Sequence, residues 1–200
     1  MSRIERIYFA SSNGHKKAEM ERLIKSGIEI VLPSSFEVEE GGDSFLSNAL
    51  IKARALYDIV KAPVLADDSG LVVDALGGRP GIHTARYGCT PGHKLTSQEQ
   101  YSLLLKEMEG QSARSARFVS ACVLMLSPER IFIAQETVEG RIAHEARGSH
   151  GFGYDPIFLV GDGELSMAEL SDSQKDSLSH RGRAMRRLNA VIEEIESEEE

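Results

Sequence analysis

The sequence is poor in cysteine, with only Cys89 and Cys122 among its 200 residues. The two cysteines are not spaced like the ligands of a zinc site, so the sequence gives no sign of a cysteine-based metal centre. Cys122 lies in an apolar stretch, which predicts a small buried core residue. Because disulfides and cysteine frameworks are typical of oxidising compartments, such low usage favours a reducing one, and we expect a cytoplasmic protein.

Long apolar stretches are also missing. The longest runs, such as Ala121–Leu126, are far shorter than the roughly 20 residues that a helix needs to cross a bilayer. The first residues lead into a strand pattern rather than into the apolar region of a signal peptide. Hydrophobic residues nevertheless make up 41% of the chain, which is ordinary for a globular protein with an ample core. We therefore expect no membrane partner.

The chain also lacks a broad basic surface. Its net charge is −8, but the last eight residues, Glu193–Glu200, carry six acids and no base. Removing those six from the 31 acidic residues leaves 25 against 23 basic ones, which predicts a nearly neutral body. Nucleic-acid binding needs a positive face, so we expect no nucleic-acid partner. The sequence predicts one domain over residues 1–196 and an acidic tail over residues 197–200.

The most informative stretch is Val64–Val73, where an apolar run meets Asp67-Asp68-Ser69-Gly70 and a second apolar run follows. Ligands of α/β sheets bind beyond the carboxyl ends of strands, and we expect the first strand to end at this acidic pair. Neighbouring residues of an extended chain point to opposite faces, so only one acid should enter a given cleft. The alternative is a strand-ending turn with two solvated acids.

A second candidate site follows the opening strand, predicted at Ile4–Ala10. The loop Ser11–Lys17 is small and polar, carries lysine, and leads into a helix that runs to about Lys25. Free backbone N–H groups and the helix dipole at such a junction favour a phosphate. The spacing is not that of a P-loop. A loop capped by Ser and Asn beside a solvated lysine is the alternative.

The remaining pattern alternates strands and helices. Asn48 and Lys52 lie four residues apart on the polar side of one helix, either as a solvated stripe or as a pair facing a cleft. The loop Arg147–Pro156 combines three glycines with Phe152 and Tyr154, which suits base stacking or a tight connection. The predicted elements are strands at Gly27–Leu32, Ala116–Leu126 and Ile131–Glu139, the last two as a hairpin, and helices at Phe45–Val60, Thr96–Glu109 and Ser179–Ile195.

Six motifs follow one another along the chain: Ser11-x-Asn13-x-x-Lys16, Asn48-Ala49-x-x-Lys52-Ala53, Asp67-Asp68-Ser69-Gly70-Leu71, Gly77-Gly78-x-Pro80-Gly81, Gly151-Phe152-Gly153-Tyr154-Asp155-Pro156 and Ser179-His180-Arg181. Together they resemble the inosine triphosphate pyrophosphatases, and the resemblance covers roughly Ile7 to Leu188. The chain departs from the usual pattern of that family at Ser47, where many relatives have Glu, and at His150, where Gly is usual.

The resemblance implies an α/β fold, with a twisted mixed β-sheet and flanking helices in two lobes around a nucleotide-binding cleft. It also implies a homodimer that uses Mg²⁺. Members of that family hydrolyse ITP, dITP and XTP to the monophosphate and pyrophosphate, which removes deaminated purines from the nucleotide pool. The alternatives are a pyrophosphatase for modified pyrimidine nucleotides and a nucleotide-sensing module that binds without turnover.

Carried over by position, Asp68 would be the catalytic carboxylate, acting on Mg²⁺ and the attacking water, with Glu40 as the second metal ligand. Lysines of the first loop and of the helix would hold the triphosphate, and the later residues would hold mainly the base, with Arg181 donating to O6 of a keto purine. The substrate-binding residues so implied are Ser11, Ser12, Asn13, Gly14, His15, Lys16, Lys52, Ser69, Phe152, Gly153, Tyr154, Asp155, Lys175, His180 and Arg181.

Overall fold

A computed structural model describes residues 4–197 of the chain. All but the first residue of the predicted acidic tail, 197–200, lies outside the described residues. No helix within 4–197 is both long enough and apolar enough to cross a membrane. The strands are β1 (Arg6–Phe9), β2 (Glu29–Val31), β3 (Val64–Val73), β4 (Ser115–Ser127), β5 (Arg130–Ile142) and β6 (Phe158–Val160), and the helices are α1 (Gly14–Leu23), α2 (Phe45–Val60), α3 (Ser97–Glu107), α4 (Asp172–Leu178) and α5 (His180–Ser197).

The six strands form one mixed sheet in the order β2-β1-β3-β4-β5-β6. β1 pairs in parallel with β2 and β3, whereas β5 and β6 are antiparallel. β4 and β5 are neighbours joined by the two-residue turn Pro128–Glu129, which makes them the predicted hairpin. The predicted α/β class with a mixed sheet and flanking helices is therefore confirmed.

The described residues divide into two compact units. The first contains the chain up to Asp68, Ser120–Glu136 and the chain from Arg181 onward, and the second contains Ser69–Val119 and Thr137–His180. Each of the strands β3, β4 and β5 contributes residues to both units.

In the first unit, the alternation of side chains along the strands separates two apolar layers. Leu65 of β3 packs with Met20 of α1 and Leu188 of α5. The next residue, Ala66, packs instead in a second cluster with Ala53 of α2. Helices α1 and α5 thus cover one face of the strands and α2 covers the other, as the period of two in a strand requires.

The second unit has its own core, built on the continuations of the long strands. Leu71 of β3, Phe118 of β4 and Val138 of β5 pack with Leu104 of α3. The ring of Phe118 also lies against that of Phe158, with centroids 4.6 Å apart and planes tilted by 52°.

Gly140 sits where β5 meets β6, and a methyl group at this position would lie 2.1 Å from the carbonyl oxygen of Leu159. We expect Gly140→Ala to lower the free energy of unfolding by about 2 kcal/mol, because backbone has to move to admit the methyl group. Urea unfolding measures this loss. The control is Gly41→Ala, where no atom lies within 4 Å of the added carbon. Equal stability of the two variants would contradict the packing described for β5 and β6.

Candidate active site

The two adjacent acids lie inside a strand rather than at its end. β3 runs without interruption from Val64 to Val73 and includes both Asp67 and Asp68, so the prediction that a strand ends at this pair is wrong. Both side chains are buried, with 0% and 9% of their surface exposed, which excludes the alternative of two solvated acids. Burial on both faces of the sheet lets the apolar runs before and after the acids join as one strand.

Asp67 faces helices α1 and α5. Its carboxylate accepts a hydrogen bond from the Ser120 hydroxyl at 2.6 Å and lies 2.7 Å from the ammonium of Lys16. Nη2 of Arg181 donates to the same carboxylate at 3.2 Å, and Nη1 of Arg181 donates to Glu19. Within this group the two carboxylates face two cations, so the named charges balance.

This balance sets the ionisation of Asp67. Burial alone raises the pKa of a carboxyl group, but the charges of Arg181 and Lys16 outweigh it and hold the pKa of Asp67 well below its usual value. The same carboxylates raise the pKa of Arg181 against the effect of its burial. Asp67 is therefore a permanent anion that positions Lys16, and it is poorly suited to accept a proton.

Asp68 faces the opposite side, towards α2. The ammonium of Lys52 donates to Oδ1 of Asp68 at 2.7 Å and to the backbone oxygen of Asp67 at 2.9 Å. It also lies 3.2 Å from Oε1 of Glu40, whose side chain is 27% exposed. The two carboxylates to which the sequence assigned the metal are thus gathered around a single ammonium. The expected divergence of the adjacent acids is confirmed, and Asn48 and Lys52 form the inward-facing pair.

The Asp68 side carries a different charge balance. Burial raises the pKa of Asp68, although the Lys52 charge opposes the shift. Burial lowers the pKa of Lys52, but the carboxylates of Asp68 and Glu40 more than reverse this, so the net shift is upward. On this side the carboxylates of Asp68 and Glu40 share the ammonium of Lys52, and the charge of Lys16 also opposes the upward shift of the pKa of Asp68. Among the described residues no cluster of three or more His, Cys, Asp and Glu side chains is arranged to hold a metal.

Asn48 connects the loop that carries Glu40 to the strand that carries Asp68. Its amide oxygen accepts a hydrogen bond from the backbone N–H of Gly42 at 2.9 Å, and its amide nitrogen lies 3.5 Å from Oδ2 of Asp68. A side-chain carbon at Gly42 would lie 2.6 Å from the Asn48 oxygen, so only glycine permits this approach. Ser47, the departure from the family pattern, forms a reciprocal capping box with Ser44 at the start of α2.

The predicted phosphate loop is an N-cap that leaves its lysine directed at Asp67. Oδ1 of Asn13 accepts hydrogen bonds from the backbone N–H groups of His15 and Lys16, and the Ser11 hydroxyl accepts one from Asn13. Ser12, Asn13, Gly14 and His15 are exposed. The amide capping predicted as the alternative is present, but Lys16 is held by a buried carboxylate rather than solvated. The loop keeps the exposed helix N-terminus that suits a phosphate.

In the second unit, Asp155 organises the glycine-aromatic loop. Its Oδ2 accepts hydrogen bonds from the backbone N–H of Phe152 at 2.8 Å and from the Lys175 ammonium at 2.6 Å. That ammonium lies 4.9 Å from the centroid of the Phe152 ring. Gly151 has a positive φ of 72°, and a side-chain carbon there would lie 2.1 Å from the Asp155 carboxylate. The loop is therefore specified by close contacts and is more than a connection.

The other residues of this unit that were predicted to bind the nucleotide, mainly at its base, are Ser69, Gly153, Tyr154 and His180. Tyr154 is buried and its hydroxyl donates to the backbone oxygen of Thr84 at 3.2 Å. His180 is buried and stacks on Phe118 with centroids 5.0 Å apart and planes 12° apart. Gly153 has a positive φ of 62°, and Ser69 is partly exposed in β3.

Two residues that hold predicted site residues in place, Glu19 and Ser120, were not predicted from the sequence. Glu19 pairs with Arg181 across 162 positions, and Ser120 reaches Asp67 across 53. The only sequence signal for Glu19 is its place three residues after Lys16, one turn further along α1. Arg181 was expected to contact the base; its side chain is 2% exposed and pairs with Glu19 and Asp67.

Known proteins match this chain over almost its whole length. A model of the Ham1 family matches residues 7–191. The dITP/XTP pyrophosphatase of Treponema denticola is 49% identical over 191 residues, which cover 94% of this chain and 98% of the relative. The dITP/XTP pyrophosphatase of Geobacillus kaustophilus is 39% identical over 199 residues, which cover 96% of each.

Solved structures show the same fold. The structure of the Staphylococcus aureus Ham1 protein matches with a TM-score of 0.83 at 35% identity, covering 94% of this chain and 98% of that one. A HAM1 protein from Coxiella burnetii matches with a TM-score of 0.84 at 37% identity, covering 96% of this chain and 100% of that one.

The ion pairs of Asp67 predict a pH-dependent contribution to stability. Because the pKa of Asp67 is depressed in the folded chain, this contribution is present above its unfolded pKa of about 3.9 and is lost as the pH falls through the lower folded value. We expect Asp67→Asn to lower the free energy of unfolding by about 3 kcal/mol at pH 7, since it leaves buried cations under-compensated. The difference in the free energy of unfolding between the wild type and Asp67→Asn should become smaller at acidic pH.

Urea unfolding of both proteins at neutral and acidic pH measures the gap. The control is Asp58→Asn, because Asp58 pairs with Lys61 at an exposed position and should change the stability by less than about 0.5 kcal/mol. A gap of the same size at every pH would show that the depressed pKa of Asp67 is not its source.

Proposed function

The chain belongs to the Ham1 family, and we propose that it hydrolyses the non-standard purine nucleoside triphosphates ITP, dITP and XTP to the monophosphate and pyrophosphate. The observation that carries the proposal is the pair of buried acids on β3, each with its own lysine. A nucleoside triphosphate brings about four negative charges, which must be neutralised before water can approach phosphorus. Lys16 and Lys52 supply two cations, and the charge of each acts on Asp68, which supplies a base. The relatives named dITP/XTP pyrophosphatase support this substrate class.

The donor set beside Lys52 fits Mg²⁺. This ion prefers oxygen ligands, keeps several waters and is usually bound through one or two carboxylates together with substrate phosphates. Asp68 and Glu40 lie close enough to share one ammonium. We propose that these two residues hold Mg²⁺, which when bound neutralises phosphate charge and lowers the pKa of a coordinated water.

The protein groups divide the remaining work. Asp68, whose pKa burial raises, is the stronger base of the two acids and is assigned to take a proton from the attacking water. Asp67 is the weaker base, because its ion pairs hold its pKa low, and it is assigned instead to fixing the position of Lys16. Lys16, Lys52 and the N-terminus of α1 are assigned to the triphosphate. No covalent nucleophile is invoked, and burial raises the pKa of the Cys122 thiol to about 12.

The base is assigned to the glycine-aromatic loop of the second unit. Phe152 offers a ring for stacking, and the Asp155–Lys175 pair fixes the backbone and the ring beside it. Tyr154 supports the loop through its bond to Thr84. Donation from Arg181 to O6 of the purine remains a prediction, as do the base contacts of Ser69, Gly153 and His180.

Two alternatives are distinguishable by what the protein does with its ligand. A pyrophosphatase for modified pyrimidine nucleotides would share the phosphate chemistry and differ in the base. A sensing module would bind the nucleotide without turnover. Binding alone does not need an acid that activates water, such as the one proposed at Asp68 beside Glu40. On the family resemblance we also propose a cytoplasmic homodimer.

A panel of nucleoside triphosphates with Mg²⁺ tests the function. We expect ITP, dITP and XTP to be hydrolysed in preference to ATP, GTP and modified pyrimidine nucleotides, with one pyrophosphate released per turnover. Chromatography of the nucleotide and separate assays of pyrophosphate and orthophosphate measure the products. Diphosphate with orthophosphate would contradict cleavage between the α and β phosphates. Tight binding of ITP without hydrolysis would favour the sensing module.

Replacing the proposed base separates the two acids. Asp68→Asn keeps the shape but removes the charge, so we expect kcat to fall roughly 10²-fold or more. Asp67→Asn should reduce kcat less once the folded fraction is taken into account, because Asp67 acts through Lys16. Steady-state kinetics with ITP, alongside unfolding curves, measure both. Equal losses in two folded variants would show that both acids take part in the chemistry.

A further inference from the structure

Lys52 is held by the same oxygens that the proposed function assigns to the metal. Its ammonium contacts Oδ1 of Asp68 at 2.7 Å and Oε1 of Glu40 at 3.2 Å, and it also donates to the backbone oxygen of Asp67. The side chain is 9% exposed and lies in a helix whose other inward residues are apolar apart from Asn48. An ammonium in this position already satisfies much of the charge that would attract Mg²⁺.

A divalent ion and this ammonium are poor neighbours. If Mg²⁺ bound both carboxylates while Lys52 stayed in place, three positive charges would face two negative ones in a largely buried site. Repulsion is strong there because little water screens it. The β- and γ-phosphate oxygens of a bound nucleotide would relieve it, since they offer the ammonium new partners and also ligate the metal.

Resting on the proposed metal-dependent hydrolysis, we propose that Lys52 is the resident cation of the Asp68–Glu40 pair and competes with the metal for it. Lys52 leaves the pair for the triphosphate when the nucleotide binds. Metal therefore binds weakly to the free protein and tightly with nucleotide. By linkage, nucleotide and metal strengthen each other's binding. The exchange keeps the water-activating site unassembled until substrate is present.

Direct metal binding without nucleotide tests the proposal without reference to activity. Mn²⁺, which substitutes for Mg²⁺ and is counted as free ion by electron paramagnetic resonance, is titrated into the wild-type protein and into Lys52→Gln. We expect Lys52→Gln to bind Mn²⁺ at least about fivefold more tightly, the lower end of typical coupling between sites. Lys52→Met should do the same, which excludes an effect of the new amide.

Two variants serve as controls. Lys52→Arg keeps the charge and should bind Mn²⁺ as weakly as the wild type. Lys17→Gln removes an equal charge from a lysine paired with Glu21 and should change the affinity less than about twofold, because its ammonium does not contact the Asp68–Glu40 pair. Unchanged or weaker binding in folded Lys52→Gln and Lys52→Met would overturn the proposal.

A second measurement uses only the wild-type protein and so does not depend on how the variants fold. Acetic anhydride acylates accessible lysine amines, and peptide mass spectrometry reports each site. We expect high Mg²⁺ without nucleotide to raise the acylation rate of Lys52 several-fold relative to that of Lys17, because a displaced ammonium leaves its buried bonds. A rate that Mg²⁺ leaves unchanged would overturn the exchange.

The proposed hydrolysis and the proposed exchange of Lys52 can be disproved separately. If the wild-type protein does not hydrolyse ITP in the presence of any divalent ion, the proposed function fails. If it hydrolyses ITP with Mn²⁺ but neither the Lys52 variants nor the acylation rate respond as described, the function stands and the exchange alone is wrong.

Discussion

The period of two along β3 is the constraint on which the site depends. Because successive side chains of a strand leave on opposite faces, Asp67 and Asp68 are neighbours in sequence but not in environment. Asp67 enters the layer of α1 and α5, where Arg181 and Lys16 compensate it. Asp68 enters the layer of α2, where it shares Lys52 with Glu40. One strand thus presents an acid whose pKa its neighbouring cations hold low and an acid whose pKa burial raises, and the proposed chemistry uses the second.

Buried carboxylates recur as organisers of this molecule. Asp67 fixes a lysine in the first unit, and Asp155 fixes the backbone of the glycine-aromatic loop together with Lys175 in the second. Each costs desolvation that only several simultaneous partners offset, so these residues work only as complete sets. Such sets hold side chains in defined positions before any ligand arrives, which reduces the ordering that binding must otherwise supply.

Local pattern was enough to predict much of this fold, and long-range packing accounts for what it missed. The bounds of α2 follow from helical periodicity, and its inward Asn48 and Lys52 follow from their spacing. The continuity of β3 through two acids did not follow, because it depends on cations supplied by helices distant in the sequence. Helix α4 and strand β6 are too short to carry a period, and Glu19 becomes significant only beside Arg181.

The unbroken course of β3 also determines which changes of chain length the protein can accept. Loss or gain of one residue between Val64 and Ala66 would rotate every later side chain of the strand to the opposite face. A loss would bring Asp68 to the position of Asp67, beside Arg181 and Lys16, and a gain would bring Asp67 to the position of Asp68, beside Lys52. In either case the second acid would lie two positions from its cation, so one of the two charge balances would be lost. An exposed loop such as residues 111–113, between α3 and β4, tolerates added residues far better. Insertions and deletions among related proteins should therefore occur in such loops, while the number of residues from Val64 to Asp68 stays constant.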